Sequence, residues 1–401
     1  MTPHAPSSLD YGLPTEDQRA EQVALLAHAF GIPSSTDTMW IDAIGHEELR
    51  VVHEGGEIWG GLGLIPMGQS FGGRVLPLMG VAGVGVRSDR LRRGVATTLM
   101  RHVLQETRER GFPLSGLYAS TWSLYRRVGY ECAGARYLAT LTPPEIGTWA
   151  ARDEGSLRLC QATVDDRPAV EALYHAQALH HPGHLQRGRY IWPRLRDLRF
   201  GIPAHGVVVH DEEGLAGYLY YRKHPPQGSF RHRVEVTDAC ARSPAAWRRL
   251  WGFLADLGTM VERIELPTAP HDPMYLCHPD PRFRMEQLES WLVRVTDVEG
   301  LLRGRGYGPG VAGSVDLHLH DEVLPQQAGD WRLEVEGGQG RLRRGGAGTL
   351  RLSARGLAAW ATGFCSLPVL AQLGHAHGPG DAMARADAMT AGPSPWMREM
   401  F

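Results

Sequence analysis

The 401-residue chain has few cysteines, almost no lysine and no long apolar run. Its five cysteines are odd in number, scattered and never spaced as C-x-x-C, which argues against a disulfide framework or a structural zinc. The apolar stretches are too short to span a membrane, and residues 1–8 lack the charged-then-apolar pattern of a signal peptide. We therefore expect a cytoplasmic protein with reduced thiols, no metal and no membrane partner.

The chain also lacks a strong excess of either charge. Lys and Arg together number 42 against 44 Asp and Glu, and no long basic run occurs, so a nucleic-acid partner is not expected. A hydrophobic content of 43% is enough to build real cores. The length predicts two to three domains.

The segment from Val84 to Ala96 is the most informative part of the sequence. An apolar strand leads into a short basic loop, and Gly94 precedes apolar residues at helical spacing. A helix N-terminus offers unpaired N–H groups and the positive end of the helix dipole, and Arg92 and Arg93 add charge there. The segment therefore predicts a pyrophosphate-binding loop, although its glycine spacing is that of neither a P-loop nor a dinucleotide fingerprint. An ordinary strand-turn-helix with a surface arginine pair remains the alternative.

The predicted elements form two similar series followed by a different third region. The first series has a capped helix over 15–30, a short helix at Trp40, strands over 49–54, 58–66, 74–86 and 115–120, and short helix 123–130. A looser copy starts near Leu157, with helices over 165–180 and 244–257 and strands between them. Its loop after Cys240 lacks glycine and an arginine pair, so we expect that it binds no cofactor. Residues 300–401 predict an antiparallel sheet backed by helices.

The loop Leu91-Arg92-Arg93-Gly94-Val95-Ala96 resembles the acetyl-CoA loop of the GNAT acetyltransferase superfamily, Gln/Arg-x-x-Gly-x-Gly/Ala, with Leu91 replacing the usual Gln or Arg. With Tyr125 in the segment 124–130 and the terminal Phe401, the whole chain is similar to the Eis ("enhanced intracellular survival") aminoglycoside N-acetyltransferases. The resemblance implies an α+β fold of tandem GNAT domains over 1–145 and 146–298, the second degenerate, and a sterol-carrier-protein-like domain over 299–401. It also implies a homohexamer.

The resemblance further implies roles for individual residues. Tyr125 would be the general acid and the terminal carboxylate of Phe401 the general base in direct acetyl transfer to an amine of an aminoglycoside or similar polyamine. We expect the Val86 N–H to polarise the thioester carbonyl. The predicted acetyl-CoA-binding residues are Val84, Val86, Leu91, Arg92, Arg93, Gly94, Val95, Ala96, Thr97 and Ser120. The predicted substrate-binding residues are Trp40, Asp37, Tyr118 and Glu399, and Asp42 and Glu47 are further acids that could attract a polyamine.

Other interpretations of the sequence stay open. The third region could make the protein a lipid or sterol carrier, or the GNAT units could form a non-catalytic scaffold. An acetyltransferase acting on protein lysines is a further alternative. His175, His180, His181 and His184 cluster near a helix end, where a solvent-exposed loop is a better interpretation than a metal site. Trp247 and Trp251 are expected to form one buried helix face.

Overall fold

The structure is a computed structural model that describes residues 9–31, 39–147, 150, 157–226, 228 and 230–401. In chain order, the elements up to residue 147 are β1 (Asp10–Gly12), α1 (Glu16–Ala29), α2 (Met39–Ile44), β2 (Leu49–Glu54), β3 (Glu57–Phe71), β4 (Arg74–Val86), α3 (Val95–Glu109), β5 (Leu114–Tyr118), α4 (Trp122–Arg127), β6 (Glu131–Leu141) and α5 (Pro143–Ile146). The middle elements are β7 (Arg158–Gln161), α6 (Arg167–Ala178), β8 (Leu185–Gln186), α7 (Ile191–Arg196), β9 (Ala204–Asp211), β10 (Gly214–His224), β11 (His232–Ala241), α8 (Pro244–Asp256), β12 (Val261–Pro267), α9 (Pro273–Leu276) and β13 (Arg284–Val295).

The last hundred residues form a separate layer. Its elements are α10 (Val298–Gly304), β14 (Gly313–His320), β15 (Gly329–Glu336), β16 (Gln339–Arg344), β17 (Leu350–Ser353), α11 (Ala354–Ala361), α12 (Leu367–Gln372), β18 (Ala376–His377) and α13 (Gly380–Thr390). Short 3₁₀ turns lie at His46–Glu48, Ser88–Arg90, Gly258–Met260 and Pro325–Gln327. The sheet order is β16-β15-β14-β17-β18, with the helices packed against it. The predicted α+β layer is confirmed, but the sheet is mixed and not purely antiparallel, because β14 and β17 pair in parallel.

Local signals place the helices of the first half correctly. Helix α1 starts with a reciprocal capping box between Thr15 and Gln18, so two otherwise unpaired groups at its start are satisfied. Helix α3 buries the predicted face, including Leu99 and Val103, against the sheet. The Trp247 and Trp251 face of α8 is also buried, as predicted.

One sheet joins the two halves that the sequence analysis treats as separate units. Within the described residues its order is β1-β2-β3-β4-β5-β13-β6-β12-β11-β10-β9-β7, and β8 pairs with β3. Strand β13 lies between β5 and β6, with Trp291 opposite Tyr118 on one side and Gly134 on the other. A boundary at 145/146 therefore divides the sequence but not the sheet.

The third layer is anchored to this sheet by a buried ion pair. Arg294 of β13 donates two hydrogen bonds to the Asp321 carboxylate at 2.6 and 2.7 Å, and both side chains are excluded from solvent. Arg294 also donates to the Val128 carbonyl at 2.9 Å, next to α4. The pair thus connects the layer that carries the C-terminus to the turn that follows Tyr125.

Candidate active site

A cleft opens where two parallel strands separate. Strands β4 and β5 pair only from Leu78–Leu114 to Gly80–Gly116, whereas β4 continues to Val86 along β3. Residues 81–86 therefore have one edge that β5 does not cover. The cleft beside this edge has a volume of about 500 Å³. Its lining includes Phe30, Val81, Ala82, Gly83, Val84, Tyr118, Ala119, Ser120, Trp122, Tyr125, Gln287, Leu288, Glu289, Ser290, Met400 and Phe401.

A second cavity, of about 330 Å³, lies at the start of α3. Gly94 precedes this helix with φ of 81°, a left-handed conformation, and no side chain caps the helix start. The first N–H groups of α3 are thus left for a ligand. The cavity is lined by Val86, Arg90, Leu91, Arg92, Gly94, Val95, Ala96, Thr97, Leu124 and Arg127.

The arginines around this loop differ in their availability. Arg87 pairs with Asp89 at 2.7 Å, and Arg90 pairs with Glu57 at 3.2 Å, so their charges are already compensated. Arg92 and Arg93 are exposed and have no carboxylate partner among the described residues, although Arg93 does not line the cavity. Arg127, which the sequence analysis did not select, lies exposed on the cavity wall. Arg92 and Arg127 are therefore the cations best placed to meet a pyrophosphate.

The corresponding helix of the second half has no such anion site. Helix α8 follows β11 as α3 follows β4, but Ser243 caps it by accepting a hydrogen bond from the Ala246 N–H at 3.2 Å. Pro244, its first residue, has no N–H to offer. The groups that are unpaired at the start of α3 are thus used or missing at the start of α8.

Tyr125 faces the cleft from α4 and is only 4% exposed. Its ring packs edge-on against Tyr130, with centroids 5.9 Å apart. Burial raises the pKa of the Tyr125 hydroxyl to about 12, so the group stays protonated at neutral pH. Its hydroxyl donates to no described protein group, so it is free to donate to a ligand in the cleft.

The C-terminal tail, residues 395–401, runs between the two halves of the sheet. Trp396 is fully buried, and the Met397 N–H donates to the Ala135 carbonyl at 3.2 Å. A Cβ on Gly134 would lie 2.5 Å from the Pro395 carbonyl oxygen, and one on Gly80 would lie 2.9 Å from the Phe401 ring. Glycine is therefore needed at both positions for the tail to reach the cleft.

Tyr118 holds the end of this tail. Its hydroxyl donates to the Glu399 carbonyl at 2.7 Å, and its ring packs edge-on against Phe401 at 5.5 Å. The Phe401 ring is 8% exposed and lines the cleft together with Tyr125. The terminal carboxylate makes no ion pair with a described residue. Tyr118, Tyr125 and Phe401 are thus brought together as the sequence analysis expects.

Glu399 does not lie where a substrate-binding acid should. Its side chain is buried, is absent from the cleft wall and is paired with Arg187, which also binds Asp238 at 2.5 Å. The ring of Tyr174 lies 3.5 Å from the Arg187 guanidinium. Because Arg187, far away in the sequence, pairs with this carboxylate, Glu399 holds the tail and does not face the cleft.

Of the other residues predicted to bind or attract a polyamine, all but Asp37 can be located in the structure. Asp42 pairs with Arg19 at 2.8 Å, and Glu47 pairs with Arg189. Asp37 lies outside the described residues. Trp40 packs against Gly83, where a Cβ would lie 2.4 Å from its ring, but it does not line the cleft and belongs to a separate, mostly apolar cavity with Tyr190 and Phe200. The acid on the cleft wall is Glu289 of β13. No motif in the sequence indicated that this residue would lie at the site.

The histidine cluster is only partly exposed to solvent, which corrects the expectation of an exposed loop: His180 is exposed, His175 and His181 are half-buried and His184 is buried. His184 is 2% exposed, and its ring lies 4.6 Å from that of the buried Trp396. Burial, reinforced by Arg398, lowers the pKa of His184 well below its usual value and that of His181 to about 4. Among the described residues, no group of three His, Cys, Asp or Glu side chains could hold a metal. No described helix is long and apolar enough to cross a membrane.

Family models match nearly all of the chain. Residues 10–133 and 183–295 each match an "Acetyltransferase (GNAT) domain", and residues 298–398 match a "Sterol carrier protein domain". An uncharacterized N-acetyltransferase of Streptomyces avermitilis is 30% identical, over 82% of this chain and 83% of its own length. Another from Streptomyces coelicolor is 32% identical, over 76% of this chain and 75% of its own.

Comparison with solved structures supports the same family assignment. A GCN5-related N-acetyltransferase from Anabaena variabilis superimposes with a TM-score of 0.92 at 27% identity, over 98% of this chain and all of that one. Eis1 from Mycobacterium abscessus shares the fold with a TM-score of 0.78 at 24% identity, over 98% and 100% of the two chains. The chain belongs to the GNAT family of N-acetyltransferases, with two GNAT domains followed by a sterol-carrier-like domain. It is therefore an acyltransferase, and GNAT domains use acetyl-CoA.

Proposed function

We propose that the first GNAT domain transfers the acetyl group of acetyl-CoA directly to an amine of a small molecule. The observation that carries this proposal is the cleft at the open edge of β4, with Tyr125 and Phe401 on its wall and the uncapped start of α3 nearby along the same strand. Acetyl-CoA supplies the activated acyl group. Arg92, Arg127 and the first N–H groups of α3 would bind its pyrophosphate.

Tyr125 would donate the proton that the departing sulfur needs. A phenol whose pKa is raised to about 12 by burial keeps its proton at pH 7 and is available to protonate the departing thiolate, whose conjugate thiol has an ordinary pKa of about 8.5, as the carbon–sulfur bond breaks. The free edge of β4 would pair with the pantetheine arm of acetyl-CoA and so orient the thioester towards the amine. The Val86 N–H would stabilise charge on the thioester carbonyl oxygen.

The terminal carboxylate of Phe401 would act on the incoming amine. It is held beside the cleft by Tyr118 and by the packing of the Phe401 ring, and no described cation neutralises it. A free carboxylate is a weak base at neutral pH, so it would attract the substrate ammonium and accept its proton directly or through water. The sterol-carrier-like domain then contributes to catalysis by delivering this tail.

Aminoglycosides are the substrate class that the resemblance to Eis enzymes implies, and a hexamer is the assembly that it implies. The purified full-length protein should be incubated with acetyl-CoA and a panel of aminoglycosides, arylalkylamines and peptides while thiol release is followed. Acetylated product with any amine supports the proposal, and acetylated peptide would favour action on protein lysines. Calorimetry that detects no acetyl-CoA binding would overturn it. Light scattering would test the hexamer.

A further inference from the structure

A cavity of about 190 Å³ adjoins the acetyl-transfer cleft on the side of the second GNAT domain. Both have Leu288 and Met400 in their walls, so the two spaces meet at the C-terminal tail. Three arginines of the second domain, Arg194, Arg199 and Arg222, line this space. We refer to it as the arginine cavity.

None of these three arginines pairs with a carboxylate among the described residues. Arg222, which is 2% exposed, donates to the carbonyls of Arg194 and Asp197 at 2.8 and 2.9 Å, and its Nε has no partner. Arg194 donates to the Tyr190 hydroxyl at 2.7 Å and to the Met400 carbonyl at 3.3 Å. The Arg199 guanidinium contacts the Phe200 ring and makes no hydrogen bond to a described residue.

The other charged groups on the cavity wall already have partners. Glu235 bonds His224 at 2.6 Å, and Glu265 bonds Arg263 at 2.9 Å. Glu399 pairs with Arg187 through one oxygen, and its other oxygen, Oε2, has no partner among the described residues. On the cationic side, Arg398 pairs with Asp272 at 2.6 Å and Arg136 with Glu289 at 2.5 Å. The cavity wall carries five arginines against three glutamates, so a positive excess remains at Arg194, Arg199 and Arg222, although Glu235 offsets part of it.

Such an arrangement is costly without a counter-ion. Burying a guanidinium without a carboxylate loses its hydration and gains little in return. Arg222 is buried in this way, and Arg194 and Arg199 are half-buried. The strain is visible in Arg199, whose pKa is lowered to about 10 by burial and by the neighbouring Arg194 and Arg222. A carboxylate or phosphate would relieve it, since guanidinium groups bind both with paired hydrogen bonds.

We propose that the arginine cavity binds an anionic group, carboxylate or phosphate, carried by the amine that is acetylated. This inference rests on the proposed acetyl transfer, and it favours amines that also carry a negative charge over aminoglycosides, which carry no anionic group. It agrees with the state of the acids once expected to attract a polyamine, since Asp42, Glu47 and Glu399 are all paired with arginines.

Binding is tested without catalysis by thermal melting of the full-length protein with inorganic phosphate or glutarate at constant ionic strength, with saturating coenzyme A present so that the proposed pyrophosphate site at the start of α3 is already filled. Wild type should gain melting temperature saturably with at least one anion, and whichever acts identifies the group. Arg199→Gln should lose this gain, whereas Arg341→Gln, the same change on an exposed strand of the third domain, should keep it. No saturable gain in wild type, or an equal gain in Arg199→Gln, overturns the proposal.

Specificity is tested with ω-amino acids of increasing length, aminoalkyl phosphates and the uncharged amides of the acids. Wild type should prefer the charged member of a pair in kcat/KM, and Arg199→Gln should reduce that preference about tenfold through KM. Equal kcat/KM for the charged amino acids and their uncharged amides would overturn the anion site, and the proposed function would stand. If none of the amines gives thiol release, the result would count against the proposed function. The melting experiment would still decide whether the anion site exists.

Discussion

The hydroxyl of Tyr118 donates to the main-chain carbonyl of Glu399 at 2.7 Å. This hydrogen bond connects the last residue of β5 to the C-terminal tail. The same hydroxyl lies 3.3 Å from the Met397 sulfur. Two parts of the molecule that are far apart in sequence thereby share one fixed geometry. The position of the terminal carboxylate follows from this contact.

Tyr118→Phe should lower turnover while the fold persists. The change removes one hydrogen bond and leaves the Glu399 carbonyl unpaired, which costs about 1 kcal/mol of stability. Steady-state kinetics should show reduced kcat with unchanged KM for acetyl-CoA, and thermal melting should report the small loss. Tyr137→Phe, a half-buried tyrosine of β6 away from the cleft wall, is the matched control.

Tyr125→Phe should reduce kcat by about 10² or more, because a general acid contributes on that order, with little change in acetyl-CoA affinity. The acid works only while protonated, so its activity is lost as pH rises through its pKa. With that pKa raised to about 12, wild type should show no tyrosine-dependent decline in kcat between pH 7 and pH 10. Turnover unaltered by the substitution would remove Tyr125 from the mechanism.

Adding a single glycine after Phe401 should impair turnover by about 10² as well, because it moves the carboxylate while the ring can stay in place. Phe401→Leu keeps the carboxylate and should retain most activity. Circular dichroism should show both variants folded. Full activity in the extended protein would contradict a role for the chain terminus.

Arg127→Gln should raise the KM for acetyl-CoA about fivefold, the loss expected for one exposed charge contact. Arg87→Gln removes an arginine that is already compensated by Asp89 and lies outside the cavity, so its KM should stay near that of wild type. Calorimetric titration with coenzyme A gives the same comparison without turnover. Equal effects of the two changes would mean that bulk charge, and not the loop, attracts the cofactor.

Acid should destabilise the protein through its buried histidines. The folded-state pKa values of His181 and His184 are lowered, so the unfolded chain binds more protons below its own pKa of about 6.5. The free energy of unfolding should therefore fall as pH drops from about 6.5 towards 4, the folded value for His181. Urea denaturation at pH 7.5 and pH 5 measures the loss, and His181→Gln should show a smaller one.

The local structure of the loop Leu91–Ala96 and of the helix after it was predictable because its signal is local. Gly94, the arginines beside it and the helical spacing after it all lie within one short segment, and the structure follows them closely. The burial of His184 and the capture of Glu399 by Arg187 were not predictable, since both depend on the tail crossing the sheet. The position of β13 between β5 and β6 depends on strand pairing over long sequence distances. A single sequence contains no local pattern that predicts such pairing.

That insertion has a consequence for synthesis of the protein on the ribosome. Leu114–Tyr118 pairs on one side with Arg74–Val86 and on the other with Arg284–Val295, so the nascent acetyl-binding unit lacks a neighbour until Val295 has left the exit tunnel. The sheet of the first GNAT domain therefore cannot be completed before nearly all of the second GNAT domain has been synthesised.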